Sequence, residues 1–264
     1  MTAAKKKRAT KKKTTRGRKI ESKRTLEASP FLRDYQQAVL DRLNNGIKRQ
    51  LLIWHRRAGK DVTSLEVAGQ QLQKRIGSYW HMFPKHAQAR RALWTGIDAH
   101  SGESFIDRAF GRRGVVKAYQ TDMMLEFECG STWQLLGSDN YDRHVGSNPC
   151  GVVFSEWALC DPRAWDYIRP ILAENDGWAI FITTFRGRNH AYQMSRQLAN
   201  NPHWHVEILT VDDTKRHDGS PVVTREDIEI ERAAGMPEWL IRQEFYCDPS
   251  APRSGSIYGR FLRL

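Results

Sequence analysis

The feature that most constrains the fold is a short apolar run that leads through a tight turn into a helical pattern. The run RQLLIWH, residues 49–55, has the length and composition of a buried strand. After the turn, apolar residues recur on one helical face. These positions are Val62, Leu65, Ala68, Leu72 and Ile76. Strand, turn and helix in this order predict an α/β protein.

The turn, WHRRAGKD over residues 54–61, matches the phosphate-binding pattern GxxxxGK[ST] at Gly59 and Lys60 and departs from it at both ends. In that pattern backbone amides cradle phosphates, the lysine reaches the β and γ phosphates, and the final hydroxyl binds magnesium. Here Trp54 replaces the first glycine and Asp61 replaces the hydroxyl residue. Taken alone, the stretch is also compatible with an ordinary surface turn, because Gly-Lys pairs are common.

A second chemistry-bearing stretch, CGVVFSE over residues 150–156, places Ser155 and Glu156 directly after strand-forming residues. In open parallel sheets, functional groups gather at the carboxyl ends of the strands. A carboxylate beside a phosphate loop can accept a proton from an attacking water. We therefore predict that Glu156 is the general base; the alternative is that it only marks the solvent-facing end of a strand.

Asp61 in the loop and Ser155 at the end of the strand together suggest an altered magnesium site. Magnesium prefers hard oxygen ligands, and the usual site takes a hydroxyl from the loop and a carboxylate from the strand. This chain offers a carboxylate from the loop and a hydroxyl from the strand. Our hypothesis is that Asp61 and Ser155 exchange these two ligand roles around one ion; the competing idea is that both replacements cripple metal binding.

Further patterns outline the rest of the chain. We predict a helix in FLRDYQQAVLDRL, strands in SYWHMF and GWAIFITTF, and a β-hairpin in MMLEFECGSTWQLLG. Beyond Asn189 a helix near 190–199, the strand WHVEILTV and helices around 224–246 predict a smaller unit. The expected organisation is a basic tail over 1–28, a core over 29–189 and a lid or linker subdomain over 190–250.

Charge is concentrated at the start of the chain. Residues 1–24 contain twelve Lys or Arg and one acid, Glu21, a net charge of +11 against +12 for all 264 residues. Such a run repels itself and predicts a solvated arm that binds a polyanion, with nucleic-acid backbone as the expected partner; a merely solubilising or cloning-derived tail is the alternative. The absence of a long apolar run predicts no membrane partner. The four cysteines form no CxxC pair, which indicates no zinc site.

These residues together resemble the ATPase domain of the large terminase subunit, the DNA-packaging motor of tailed bacteriophages. In that family the loop commonly lacks the first glycine and carries an arginine four residues before the lysine, which corresponds to Arg56 and Lys60. Tyr35 and Gln36 resemble the adenine-contacting element, and FPKHAQARRALW resembles the segment after the second strand. The match extends in order from about Phe31. The ATP-binding residues that it implies are Tyr35, Gln36, Arg56, Arg57, Ala58, Gly59, Lys60 and Asp61.

The resemblance also implies residues for coupling and for a neighbouring subunit. The segment NYDRHVGSNP is similar to the one that supplies an arginine to the adjacent subunit's ATP. Arg143 is therefore the expected arginine finger, the arginine that reaches a neighbouring subunit's nucleotide. The alternatives are that Arg112 or Arg113 has this role, or that Arg143 only pairs with Asp142. Thr183 and Thr184 resemble the coupling motif at the end of a strand, although β-propensity alone also explains two threonines there.

The fold implied by the resemblance is a P-loop NTPase of the ASCE type, an α/β fold with a mostly parallel sheet flanked by helices. The implied cofactors are ATP and Mg²⁺. The implied partners are double-stranded DNA, a homo-oligomeric ring on the portal of the procapsid, and the small terminase subunit, in the host bacterial cytoplasm. Residues 251–264 resemble the first strand of a nuclease domain that is cut short, so no nuclease site is expected in this chain. A helicase-like ATPase, or a nucleic-acid-binding scaffold with a decayed nucleotide site, are the alternative functions.

Overall fold

One eight-stranded sheet carries the fold of the described residues, 32–99, 101–144 and 146–250 of a computed structural model. The predicted basic tail and the segment 251–264 lie outside these residues. The strands are β1 Arg49–Trp54, β2 Ser78–Phe83, β3 Val115–Tyr119, β4 Met124–Phe127, β5 Thr132–Gly137, β6 Pro149–Ser155, β7 Trp178–Thr183 and β8 Trp204–Leu209. Their order across the sheet is β3-β4-β5-β2-β6-β7-β1-β8.

The six strands from β5 to β8 in this order run parallel, and only β4, which pairs with β3 and β5, runs antiparallel to its neighbours. The predicted α/β architecture with a mostly parallel sheet is confirmed. Because parallel strands end at the same edge, the residues that follow β1, β6 and β7 are brought together there. Those residues include the glycine-lysine turn, Glu156 and the two threonines.

Helices flank the sheet. They are α1 Asp34–Asn44, α2 Lys60–Lys74, α3 His86–Ala89, α4 Phe105–Phe110, α5 Arg163–Glu174, α6 His190–Leu198, α7 Arg225–Ala233 and α8 Glu238–Tyr246. A π-helical turn, Arg90–Trp94, continues α3. The longest helix, α2, has 15 residues. Within the described ranges no helix combines the length and the apolar character needed to cross a bilayer.

Both faces of the central strands β1, β2, β6 and β7 are buried, as their continuous apolar sequences predict. On β1, Leu52 and Trp54 belong to one apolar core, whereas Leu51 and Ile53 belong to the core on the opposite face. This alternation follows from the two-residue period of a strand. Each fully buried side chain of this size stabilises the fold by about 1.5–3 kcal/mol, so the two cores fix the strand that leads into the turn.

The C-terminal part differs from its prediction. The strand β8 pairs with β1 over its whole length and is therefore an edge strand of the main sheet rather than part of a smaller unit. A separate small core of Val211, Ile228 and Ile241 joins α7 and α8. The short helix α4 and the exposed edge strand β3 were not predicted.

Candidate nucleotide site

The turn after β1 has the backbone of an anion-binding loop. Arg57 and Gly59 lie in the left-handed region, with φ of 74° and 76°, a conformation that aims successive backbone amides into one concavity. The positive φ of Gly59 favours glycine, and a Cβ there would also lie 2.5 Å from Nε2 of Gln36. From α1, the Tyr35 hydroxyl and Gln36 Nε2 donate to the Ala58 carbonyl at 2.8 and 3.0 Å. The loop is thus held against α1.

The missing first glycine has a structural explanation. Trp54 is the last residue of β1, and its ring is fully buried in the sheet core. Its Nε1 donates to Glu207 on β8 at 2.9 Å, and the ring packs edge-on against Tyr35. Trp54 therefore belongs to the strand, and its extended backbone needs none of the freedom that glycine provides.

Lys60 begins α2 and directs its ammonium toward the strand ends. Nζ donates to the carbonyls of Trp54 and His55 at 3.0 and 2.9 Å and to the Thr184 hydroxyl at 3.3 Å. Desolvation lowers the pKa of Lys60, and the nearby carboxylates of Glu156 and Asp61 oppose that shift. The turn and the end of β6 therefore contribute to one electrostatic environment.

Glu156 follows β6 in a strained conformation. Its φ of 53° places a non-glycine residue in the left-handed region, which costs of order 1–3 kcal/mol and is typical of functional sites. Its Oε2 is buried and has no hydrogen-bond partner among the described residues. Desolvation raises the pKa of Glu156, Lys60 lowers it, and Asp61 raises it further. A strained, unpartnered carboxylate beside a lysine is suited to proton transfer.

The structure brings Asp61 and Ser155 into contact. The Ser155 hydroxyl donates to Oδ1 of Asp61 at 2.6 Å. Desolvation by the cleft raises the pKa of Asp61, although 40% of its side chain remains accessible, and Ser155 and Lys60 oppose the rise. An accessible carboxylate joined to a hydroxyl is a donor set that fits a hard cation such as Mg²⁺.

Behind this pair lies His81, which sequence reasoning missed. It sits in the middle of β2, is fully buried, and places Nε2 2.8 Å from the Ser155 hydroxyl oxygen. Burial lowers the pKa of His81 to about 3, so the ring is neutral at physiological pH. The only sequence signal was a histidine inside the otherwise apolar strand SYWHMF.

The two threonines at the end of β7 connect neighbouring parts of the site. The Thr184 hydroxyl donates to the Trp54 carbonyl at 3.0 Å and accepts from Lys60. The Thr183 hydroxyl accepts from the Ala158 amide at 3.0 Å, in the turn that follows Glu156. Thr184 therefore contacts the lysine side of the site and Thr183 the glutamate side.

A second missed residue, Glu244 on α8, ties the loop to the C-terminal helices. Its carboxylate pairs with Arg186, which follows β7, and with Arg56 at 3.5 Å. The Glu244 carbonyl also accepts from the Arg56 amide at 2.7 Å. The Arg56 side chain remains 63% exposed, so it is available to a ligand.

Two of the candidate arginine fingers, Arg143 and Arg113, lie in different surroundings. Arg143 is exposed in the 3₁₀ segment Ser138–His144, which follows β5 at the same edge of the sheet as the loop. Arg113 instead donates to Glu66 at 2.6 Å and to the Ala109 carbonyl at 2.8 Å. Arg113 is thus held against α2 and α4, whereas Arg143 is exposed at the edge.

No protein-family model and no curated protein matches this chain. Solved structures match its fold. The large terminase ATPase domain of Thermus phage P74-26 has a TM-score of 0.58 and 19% identity, covering 76% of this chain and 88% of that domain. The large terminase of a thermophilic bacteriophage, in complex with ADP, has a TM-score of 0.64 and 14% identity, covering 82% of this chain and 53% of that protein.

The chain has the fold of a phage large terminase ATPase domain. A second structure of the thermophilic bacteriophage terminase, in complex with ATP-gamma-S, has a TM-score of 0.60 and 15% identity. This chain spans about half of that terminase, 52% of it in the ATP-gamma-S complex. The described residues therefore adopt a terminase-like ATPase fold. At sequence identities of 14–19%, the similarity shows the fold alone.

Proposed function

We propose that this protein hydrolyses ATP and uses the hydrolysis to move double-stranded DNA into a viral procapsid. The observation that carries the proposal is the meeting of three charged groups, Lys60, Asp61 and Glu156, at one edge of the sheet beside a loop of left-handed residues. The two structures of the thermophilic bacteriophage terminase that share the fold hold ADP and ATP-gamma-S. The charged groups and the ligands of these two structures together support a nucleoside triphosphate as the ligand.

Each predicted group has a role that its geometry supports. The loop amides that follow Arg56 and the Lys60 ammonium bind the phosphates, because left-handed turns and an ammonium both favour negative charge. Tyr35 and Gln36 support the loop through the Ala58 carbonyl, and the family resemblance assigns them to the adenine. Glu156 accepts the proton of the attacking water.

Asp61 and Ser155 would hold a magnesium ion. When bound, the ion neutralises charge on the phosphate oxygens and orients them. Within the protein, Asp61 supplies the negative ligand and Ser155 the neutral one, which is the reverse of the common arrangement. The contact between the two side chains supports this exchange, because ligands of one ion must lie within a few ångströms of each other.

Coupling to movement would run through Thr183 and Thr184 to the C-terminal helices. Arg186 follows this motif and pairs with Glu244 on α8, which also contacts Arg56 of the loop. A change at the phosphates can therefore reach α8 through two arginines. We propose that residues 190–250, apart from β8, act as the lid, and that the protein works as a ring on the procapsid portal in the host cytoplasm with a small terminase subunit.

Lys60→Ala tests the nucleotide site directly. We expect the affinity for ATP to fall about 10- to 100-fold, since a hydrogen bond to a charged group contributes about 1.5–3 kcal/mol. Isothermal titration calorimetry measures the affinity. Lys74→Ala is the matched control, because it removes a lysine from the opposite end of the same helix and should bind ATP like the wild type. Unchanged ATP binding by Lys60→Ala would contradict the proposed site.

Asp61→Ser tests the exchange of metal ligands. We expect magnesium-dependent ATP hydrolysis to fall about 100-fold or more, because the ion contributes several kcal/mol of charge stabilisation. The double variant Asp61→Ser/Ser155→Asp restores the usual order of ligands and should recover part of the lost rate. Phosphate release against magnesium concentration is the measurement. If Asp61→Ser turns over ATP as fast as the wild type, the exchange hypothesis is wrong.

A further inference from the structure

A buried chain of hydrogen bonds runs from His81 on β2 through Ser155 on β6 to Asp61 on α2. The two contacts measure 2.8 Å from His81 Nε2 to Ser155 Oγ and 2.6 Å from Ser155 Oγ to Asp61 Oδ1. His81 and Ser155 are fully buried, whereas Asp61 opens to the cleft. The chain thus connects the interior of the sheet to the surface where a cation would bind.

The single hydrogen of Ser155 sets the direction of this chain. A serine hydroxyl donates once and accepts with two lone pairs, and an ionised carboxylate only accepts. If Asp61 is ionised, Ser155 must donate to it and cannot donate to His81. Nε2 of His81 must then carry a hydrogen and donate to Ser155. In the opposite tautomer Nε2 would be an acceptor, and two acceptors would compete for one hydrogen.

The other ring nitrogen agrees with this assignment. Nδ1 of His81 is buried and has no hydrogen-bond partner among the described residues. Its surroundings are aromatic: Phe83 stacks on the ring with centroids 5.3 Å apart, and Trp133 meets it edge-on at 6.1 Å. Nδ1 therefore lacks a partner in either tautomer, and the difference lies at Nε2: a hydrogen there is donated to Ser155, whereas a hydrogen on Nδ1 would leave the ring with no hydrogen bond among the described residues.

We propose that His81 is a positioning residue that donates to Ser155 and so aims the Ser155 hydroxyl at Asp61 and its remaining lone pair at the bound cation. The proposal rests on the proposed function, because it takes Asp61 and Ser155 as the magnesium ligands. Every capacity of the Ser155 hydroxyl would then be used: one lone pair accepts from His81, the hydrogen goes to Asp61, and the second lone pair would be left for the ion. His81 itself touches neither nucleotide nor metal.

The test compares His81→Leu with His81→Gln in the full chain. Leucine removes the donor while filling much of the volume, and the glutamine amide can replace the N–H of Nε2. The probe is a fluorescent ADP analogue, titrated with Mg²⁺ and again with EDTA. In EDTA the wild type and both variants should bind the analogue alike. With Mg²⁺, His81→Leu should lose about 10- to 100-fold in affinity, as supporting partners of metal ligands typically do, and His81→Gln should regain most of it.

The outcomes separate the two proposals. If the wild type does not bind the analogue at all, the proposed function fails. If the wild type shows a magnesium-dependent gain and folded His81→Leu shows the same gain, only the role of His81 is overturned. The tautomer of His81 can be measured even if no variant binds the analogue. In ¹⁵N-edited NMR of the histidine rings, the His81 signal is assigned as the one missing from the His81→Gln spectrum. We expect this signal to show the hydrogen on Nε2. Hydrogen on Nδ1 would overturn the proposal.

Discussion

Glu156→Gln is expected to lower the rate of ATP hydrolysis by about 10²- to 10⁴-fold, the contribution typical of a general base. Affinity for ATP should stay within about threefold of the wild type. Glutamine preserves the shape of the side chain and removes its ability to take a proton. Single-turnover phosphate release measures the chemical step, and calorimetry measures binding.

The physical reason lies in the surroundings of this carboxylate. One oxygen, Oε2, has no hydrogen-bond partner among the described residues, and the residue is held in a left-handed conformation. A carboxylate that only closed the end of a strand would be solvated and would gain nothing from such strain. Desolvation raises the pKa of Glu156, which makes it a stronger base than an ordinary glutamate.

The control for this experiment is Glu174→Gln, which changes an exposed glutamate at the end of α5. It should hydrolyse ATP at the wild-type rate. A Glu156→Gln protein that binds ATP and retains full turnover would show that another group, or water alone, accepts the proton. In that case Glu156 would have the alternative role considered from the sequence, the solvent-facing end of a strand.

The sequence predicted the fold because its strongest signals are local. The apolar runs of β1, β2, β6 and β7 are continuous, as is typical of strands buried on both faces. The Gly59-Lys60 pair marks the turn after β1 as a phosphate-binding loop. The strand β3 was missed because four of its five residues are exposed and show no alternation. The strand β8 was placed in a smaller unit, although it joins the main sheet, because a strand pattern does not specify which strand it pairs with.

The site residues, like the strands, could be predicted only where a local sequence pattern marks them. Positions marked by a motif, such as Gly59 and Lys60, could be named from the sequence. His81 and Glu244 could not, because their importance depends on partners that lie far away in the chain: Ser155 for the histidine, and Arg56 with Arg186 for the glutamate. A polar residue within an apolar strand was the one available signal, and it does not specify the partner.

Arg143→Ala is expected to lower ATP hydrolysis by about 10³- to 10⁵-fold, the effect of removing an arginine finger. Arg143 lies exposed on the segment after β5, at the edge where the nucleotide would bind. The arginine that follows the coupling threonines, Arg186, is already paired with Glu244 within the same chain. We expect Arg143 of a neighbouring copy to supply an additional positive charge to the transferring phosphoryl.

Two control variants address the alternative arginines. Arg112→Ala removes another exposed arginine and should leave turnover unchanged. Arg113→Ala should lower the melting temperature rather than the rate, since its guanidinium is engaged by Glu66 and the Ala109 carbonyl. If Arg112→Ala were the inactive protein and Arg143→Ala the active one, the finger would be reassigned.

Mixing decides whether Arg143 acts between subunits. Arg143→Ala keeps the base Glu156 but lacks the finger, and Glu156→Gln keeps the finger but lacks the base. Each protein alone should be nearly inactive. In a mixed assembly, a site with an intact Glu156 can face a neighbour with an intact Arg143, so turnover should reappear and should rise with protein concentration. An arginine that acted only within its own chain would give no recovery at any ratio, because no single chain in the mixture carries both groups.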